Sequence, residues 1–580
     1  MFGFSTYEYD SDGFRECGVT GLDIHKSAED MVKLYGLTAI VALVVGGLLA
    51  IAVAMTRWEF VGMLDPGPFY TYLSMHAWNL LIFWMVFMEI AILYVGGPFV
   101  LGRRLSLPSL AKVGYALMLV GAVGVNVAIF LTEAPNNAPL LTSYVPLPSS
   151  WQFYAFVIVF LLGAVVAALP FFATIWWERQ DNPDKTLPLV AFGAFVTSII
   201  ALEALLGGLI TYVPTLAWRV GFLESLDPVW YRQMYWIIGH GTQQINLVAM
   251  IVVWYFLTHV LAGAEVVSQK VSRIAFVMYL FFINLGAAHH LMSDPGVSAG
   301  WRLWNTSYSA YGAVVASMIH AFAIPAGLEA GRRAKGKGGG LFGWLWSSPW
   351  DDPGYSATIL SIVLFGFLGG ITGVMMGQMQ LNMTWHNTLA VPGHFHATVA
   401  LGTTLAFMGL GYYVLRLVFG RDWILQPIAK IQPYLYAGAM GLVCLMMMYL
   451  GVLFGVPRRH PSVMDIPGTE FSFEAAQPFF AVFGVSALLA ILGGALFAVV
   501  AVGTLLFGDR FSVGTASVGD VDRVAADGGD ETRTDATDDE PVHEQSMRGT
   551  FVLTLVFLAT FVVLTALNWY LLSNTWQIGP

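Results

Sequence analysis

About thirteen apolar runs, each near the ~20 residues an α-helix needs to cross a bilayer, dictate what this chain folds into. They fall near residues 33–55, 70–97, 111–132, 152–177, 190–214, 230–259, 272–291, 306–329, 357–380, 392–417, 433–456, 475–506 and 549–573. Backbone polar groups have no water partners in a bilayer, so a spanning segment must bond within itself. The expected fold class is therefore an all-α polytopic membrane protein. A twelve-helix core over 31–506 follows an amino-terminal segment at 1–30. An acidic stretch at 507–547, nearly free of aromatics, reads as a disordered linker. An appended transmembrane helix at 548–580 closes the chain.

Basic residues set the expected orientation. Arg103, Arg104, Arg179, Lys185, Lys270, Arg273, Arg332, Arg333, Arg416 and Lys430 follow even-numbered runs. The amino terminus is thus expected in the cytoplasm, with the protein in the cell membrane. No cleavable leader is evident, because the first thirty residues lack a basic start and a short apolar core. The net charge of −10 includes no basic patch, which argues against nucleic-acid binding. Cys17 and Cys444 stand far apart, so no disulfide, thiolate copper centre or iron–sulfur cluster is expected.

Histidines carry the chemical signal. His394 and His396 open one apolar run, and a two-residue step turns about 200° on a helix. Their rings leave opposite faces, so one helix can serve two metal groups. His289 and His290 are adjacent at the end of another run, and His240 can supply a third nitrogen. Three neutral imidazoles suit copper, iron or zinc. Haem iron commonly takes axial histidine. His76 and one member of the His394/His396 pair can clamp a six-coordinate haem; the other member can hold a five-coordinate haem facing the three-histidine metal. With the expected topology, all six lie at similar depth in the outer part of the membrane.

These segments resemble the catalytic subunit I of the haem–copper oxidase superfamily. The resemblance rests on MHAWNLLIFW, GHGTQQI, AAHHLM, HNTLAVPGHFHA and VPRRHPSVMDIP, and spans residues 30–506. It implies a low-spin haem on His76 and His396, a high-spin haem on His394, and a second active-site metal, iron or copper, on His240, His289 and His290. Arg458 and Arg459 would hold haem propionates, and His386 and Asn387 would lie near propionates or an outer cation site. The last helix resembles a fused single-helix accessory subunit. The chain carries no Cys-rich copper domain and no Cys-x-x-Cys-His motif. The electron donor is therefore expected to be a copper- or haem-bearing subunit II, or quinol.

The resemblance also frames the substrate. Oxygen-reducing members carry a tyrosine cross-linked to a metal-binding histidine, usually one turn after the first of them, where this chain has Gln244. Another branch places it on helix seven, where this chain has Ile283. Nitric oxide reductases carry glutamate at the one-turn position. The active site thus resembles the nitric oxide reductase-like branch, with Gln244 in a catalytic or metal-binding place and Gln243 competing for it. Oxygen reduction by a cytochrome c or quinol oxidase is the alternative. Tyr255, Thr258, His259, Ser317 and His320, with Tyr308 and Tyr311, are candidates for an inward proton path. Glu203 and Glu89 are intramembrane carboxylates, and Glu203 is the first candidate for a proton relay. A transporter or a haem sensor without turnover are the competing classes; paired broken helices in repeated halves, a transporter signature, are not evident.

Overall fold

The computed structural model describes residues 7–132, 144–282, 289–461, 474–511 and 547–575. Most of the linker and Ile283 lie outside the described residues. Twelve helices among the described residues are long and apolar enough to span. They are α1 (Lys26–Arg57), α2 (Pro66–Phe99), α3 (Pro108–Leu131), α4 (Trp151–Asp181), α5 (Leu189–Arg219), α6 (Pro228–Ala262), α8 (Ala299–Ala334), α9 (Pro353–Gly377), α10 (Ala390–Val418), α11 (Gln426–Phe454), α12 (Glu474–Phe507) and α13, which is helical over Arg548–Thr575. Between α6 and α8 lies α7 (Gln269–Phe282); of the seventh expected span, residues 289–291 are also described and carry His289 and His290.

The helix starts are written locally. Proline stands in the first turn of α2, α3, α6 and α9, where its missing N–H costs nothing. Asp227 caps α6 by accepting from the Val229 amide, and Asp352 caps α9 by accepting from Gly354 and Tyr355. Small residues let helices approach: a Cβ on Gly121 in α3 would lie 2.5 Å from the Phe160 backbone nitrogen of α4. One face of α3, with Val120, Val123, Val127 and Phe130, is left exposed, as suits contact with lipid tails.

Burial ranks the helices. In α2, α6 and α10, 89%, 83% and 89% of the most apolar stretch is buried inside the protein, against at most 56% in any other span. The three central helices are the ones that carry His76, His240, His394 and His396. Two of them leave regular α geometry next to these residues: π-helical turns run over Trp78–Phe83 and His396–Thr403. Such turns insert an extra residue per turn and re-aim side chains, often at functional sites.

The amino-terminal segment holds a small hairpin, β1 (Phe14–Glu16) paired antiparallel with β2 (Asp23–His25). Arg15 and Lys33 both pair with the buried Glu29, at 2.8 and 2.9 Å, which ties the hairpin to α1.

Candidate metal centre

His240, His289 and His290 converge. One nitrogen from each lies within 4.8 Å of the other two, close enough to share one ion. His240 Nδ1 is 3.0 Å from His290 Nε2. His240 stands at the junction between the two helical stretches of α6. Two neighbours hold the group in place. The Trp236 indole stacks on His290 at 3.8 Å between ring centres and 8° between planes. Asn382 donates to the His289 carbonyl at 3.3 Å and to the Met376 carbonyl at 2.9 Å.

The His394/His396 pair divides between two neighbourhoods. His394 interacts electrostatically with His240, His289 and His290. His396 interacts with His76. The two imidazoles of α10 thus have different histidine neighbours.

The three remaining imidazoles share one arrangement: an oxygen engages Nδ1. His76 Nδ1 is 3.0 Å from the Gly46 carbonyl, and His396 Nδ1 is 2.8 Å from the Pro392 carbonyl. A carbonyl only accepts, so Nδ1 carries the hydrogen and Nε2 keeps its lone pair. His394 Nδ1 is 3.0 Å from Thr372 Oγ1. Thr372 gives its hydroxyl hydrogen to the carbonyls of Leu368 and Gly369 one turn back, which leaves its oxygen to accept from His394. Hydrogen bonds of this kind fix the tautomer and orientation of a ligating histidine and raise its basicity.

A cavity of about 130 Å³ borders His290 and Trp236 and is lined by Arg232, His386, Arg458 and Arg459. Arg232 is committed to Asp294 by two bonds of 2.6 and 2.9 Å. Arg458 Nε is buried without a hydrogen-bond partner among the described residues. Burial and the neighbouring Arg459 push the Arg458 guanidinium down to about 10. Such a cation suits a carboxylate guest, since a planar guanidinium matches it bidentately. Arg57, buried at the end of α1, bonds the Arg458 and Pro457 carbonyls and braces the same loop.

Residues 30–492 match the family model described as cytochrome c and quinol oxidase polypeptide I. Cytochrome c oxidase subunit 1 of Thermus thermophilus is 30% identical over 435 residues, 73% of this chain and 74% of that one. The protein of the same name from Bacillus subtilis is 24% identical over 414 residues, 69% of this chain and 62% of that one. A cryo-EM structure of a heme-copper terminal oxidase dimer superposes with a TM-score of 0.78 at 23% identity, covering 94% of this chain and 92% of that one, and shares the fold. The chain belongs to the cytochrome c and quinol oxidase polypeptide I family.

Members of this family carry a low-spin haem, a high-spin haem and a second metal, copper or iron, at the active site. The donor set of this chain fits them. Three imidazoles present Nε2 with Nδ1 already engaged, three more share one point, and an arginine nitrogen without a partner among the described residues lines the cavity.

The other expected residues divide. Gln244 is buried one turn after His240. Gln243 also turns inward, and its amide oxygen is buried without a partner among the described residues. Glu203 is exposed on α5, so it is not the buried relay expected from sequence; Leu206, Ile210 and Val213 extend the same outward stripe. Glu89 is buried, with one carboxylate oxygen unpartnered among the described residues.

The proton-path candidates split as well. Tyr255 Oη is 3.1 Å from both Ser272 Oγ and His320 Nδ1, and Tyr279 Oη is 2.9 Å from Ser317 Oγ. The Tyr279 and His320 rings stack at 5.7 Å. Thr258 does not join them: its hydroxyl bonds the Trp254 carbonyl of its own helix. His259 is exposed and bonds the Ala264 carbonyl at the helix end. Tyr308 and Tyr311 are exposed. Ser272 and Tyr279, both on α7, are the members that sequence reasoning missed; their helical spacing of seven, which puts both on one face, was the available signal.

Proposed function

We propose that this chain is the catalytic subunit of a cell-membrane reductase that converts nitric oxide to nitrous oxide. The observation that carries the reading is Gln244, buried one turn after His240 where oxygen-reducing members carry tyrosine. The residue at the alternative tyrosine position is Ile283. Neither side chain gives up an electron. Splitting an O–O bond takes four electrons, whereas 2 NO + 2 e⁻ + 2 H⁺ → N2O + H2O takes two. A site without a redox-active side chain is sufficient for the second reaction.

In this reading His76 and His396 hold the low-spin haem, His394 the high-spin haem, and His240, His289 and His290 the second metal. When bound, these groups would pass on electrons from the donor and coordinate small diatomic molecules. The protein supplies the rest. Trp236 and Asn382 orient the three-histidine cluster, and Arg458 and Arg459 neutralise propionates. The amide oxygens of Gln244 and Gln243 are neutral donors toward the second metal, which is compatible with copper; a carboxylate there would favour iron. Protons reach the site along Ser272, Tyr255 and His320, with Tyr279 and Ser317 beside them. His320 Nε2, buried and unpartnered among the described residues, is the next acceptor in line. The donor is a copper- or haem-bearing subunit II or quinol, and the amino terminus faces the cytoplasm. The last helix stands for a fused accessory segment.

Oxygen reduction is the second reading, and the names of the relatives favour it. Gln244→Leu tests the residue on which the first reading rests. Loss of one polar contact to the reacting centre is expected to slow N2O formation by about tenfold or more, with haem and metal content retained. An unchanged N2O rate in this variant contradicts the role given to Gln244.

A further inference from the structure

The carboxylate of Glu329, fully buried near the end of α8, collects five hydrogen bonds. Two come from Arg333, at 2.9 and 2.7 Å. Three come from the first turn of α13: the Gly549 amide at 3.1 Å, the Thr550 amide at 2.7 Å and the Thr550 hydroxyl at 2.8 Å. An anion at a helix amino terminus satisfies amides that have no partner within the helix. Here that cap comes from a residue more than two hundred positions away. Gly549 is required by the fit: a Cβ there would lie 2.4 Å from both the Leu341 carbonyl oxygen and Trp344 Nε1. Further along the helix, Trp569 Nε1 donates to Gln378 Oε1 at 3.0 Å. The helix is therefore pinned at two points.

Between the pins, α13 rests on the part of α9 nearest the metal centre. Phe557 packs edge-on against Phe367 at 5.2 Å and Phe322 at 5.9 Å. Phe557, Phe561 and Leu564 pack against a cluster that includes Ile371, Met375 and Met376 of α9. Thr372 and Gly373 lie within that same stretch and face His394. Thr372 Oγ1 takes the His394 Nδ1 hydrogen, and a Cβ on Gly373 would come within 3.1 Å of His394 Cε1. The stretch follows a π-helical turn at Phe365–Gly370.

We propose that α13 is a positioning element for His394, held by the Glu329 cap against α9 so that Thr372 keeps the imidazole in one orientation. The proposal rests on reading His394 as the ligand of the high-spin haem. Its test is the iron–histidine stretching band of the reduced high-spin haem, read by resonance Raman on the purified full chain with haems bound. Thr372→Val removes the acceptor directly. Phe557→Ala with Leu564→Ala removes the α13 contact, and Gly549→Val dislodges the capped end. The proposal expects all three proteins to show a displaced band at unchanged haem content, with the low-spin haem's absorption band in place. If Thr372→Val moves the band and neither helix variant does, the His394 assignment stands and the positioning role of α13 is overturned. If Thr372→Val leaves the band unmoved, the Thr372 bond does not orient the ligand and the proposal falls; His394→Ala, which abolishes the band if His394 is the ligand, tests that reading separately. Should Gly549→Val fail to yield protein, the Phe557/Leu564 variant decides alone.

Discussion

His76 Nδ1 sits 3.0 Å from the carbonyl oxygen of Gly46, one helix away. That bond decides which ring nitrogen is free, and it depends on a residue without a side chain. A Cβ on Gly46 would fall 2.5 Å from Leu80 Cγ. The two helices can approach this closely only with glycine there.

Gly46→Ala is therefore expected to push α1 from α2 and weaken the hold on His76. The low-spin haem should show a shifted, broadened band in low-temperature reduced-minus-oxidised spectra. Its CO-binding partner should be unaffected. An unaltered low-spin band contradicts the orientation ascribed to this bond.

Trp236 stacks on His290, a proposed ligand of the second metal, at 3.8 Å. Trp236→Ala is expected to lower the affinity for that metal by about 10–100-fold, as loss of an orienting outer partner typically does. Metal analysis after dialysis against a chelator measures this, with haem content as the internal control.

Helices were legible because a membrane-spanning helix needs a long apolar run, and little else in a chain looks like one. The histidines were legible because an imidazole in such a run stands out. What positions them was not. The partners Gly46, Thr372 and Asn382 are small or common residues in distant helices, and nothing local marks them. The outward face of Glu203 was hidden for a different reason. Lipid tails are as apolar as the protein interior, so a membrane helix carries little sequence contrast between its two faces. Thr258 illustrates a third limit. A hydroxyl on a helix can bond its own backbone one turn back, and here it does.

Arg458→Gln removes a half-buried cation beside the cavity that borders His290. Reducing a haem adds negative charge, which a nearby cation favours. At a separation on the order of 10 Å and an effective dielectric constant near 20, the interaction is about 1.7 kcal/mol. The haem midpoint potential is expected to fall by tens of millivolts by that same Coulomb estimate in a spectroelectrochemical titration. A rise, or no change, contradicts the placement of Arg458 next to a haem.

His386 supplies a pH dependence. Burial, and then the Arg458 charge, hold its imidazole below the ordinary value of 6.5. The folded protein thus binds fewer protons at this residue than the unfolded chain as the pH drops through that value. Stability contributed by the neutral ring is present above it and is lost on acidification toward the lowered folded value. His386→Gln should flatten that part of the decline in Tm between about pH 7.5 and about pH 5.5. A variant with the same slope as the parent contradicts it.

The central claim concerns the substrate, and the most direct measurement is turnover of the purified, haem-loaded protein with one artificial electron donor and two gases in turn. Under anaerobic conditions with isotopically labelled NO, the account predicts one N2O formed for every two NO consumed. With O2 as sole acceptor it predicts much slower consumption. Rapid reduction of O2 to water, without N2O formation from NO, would contradict it.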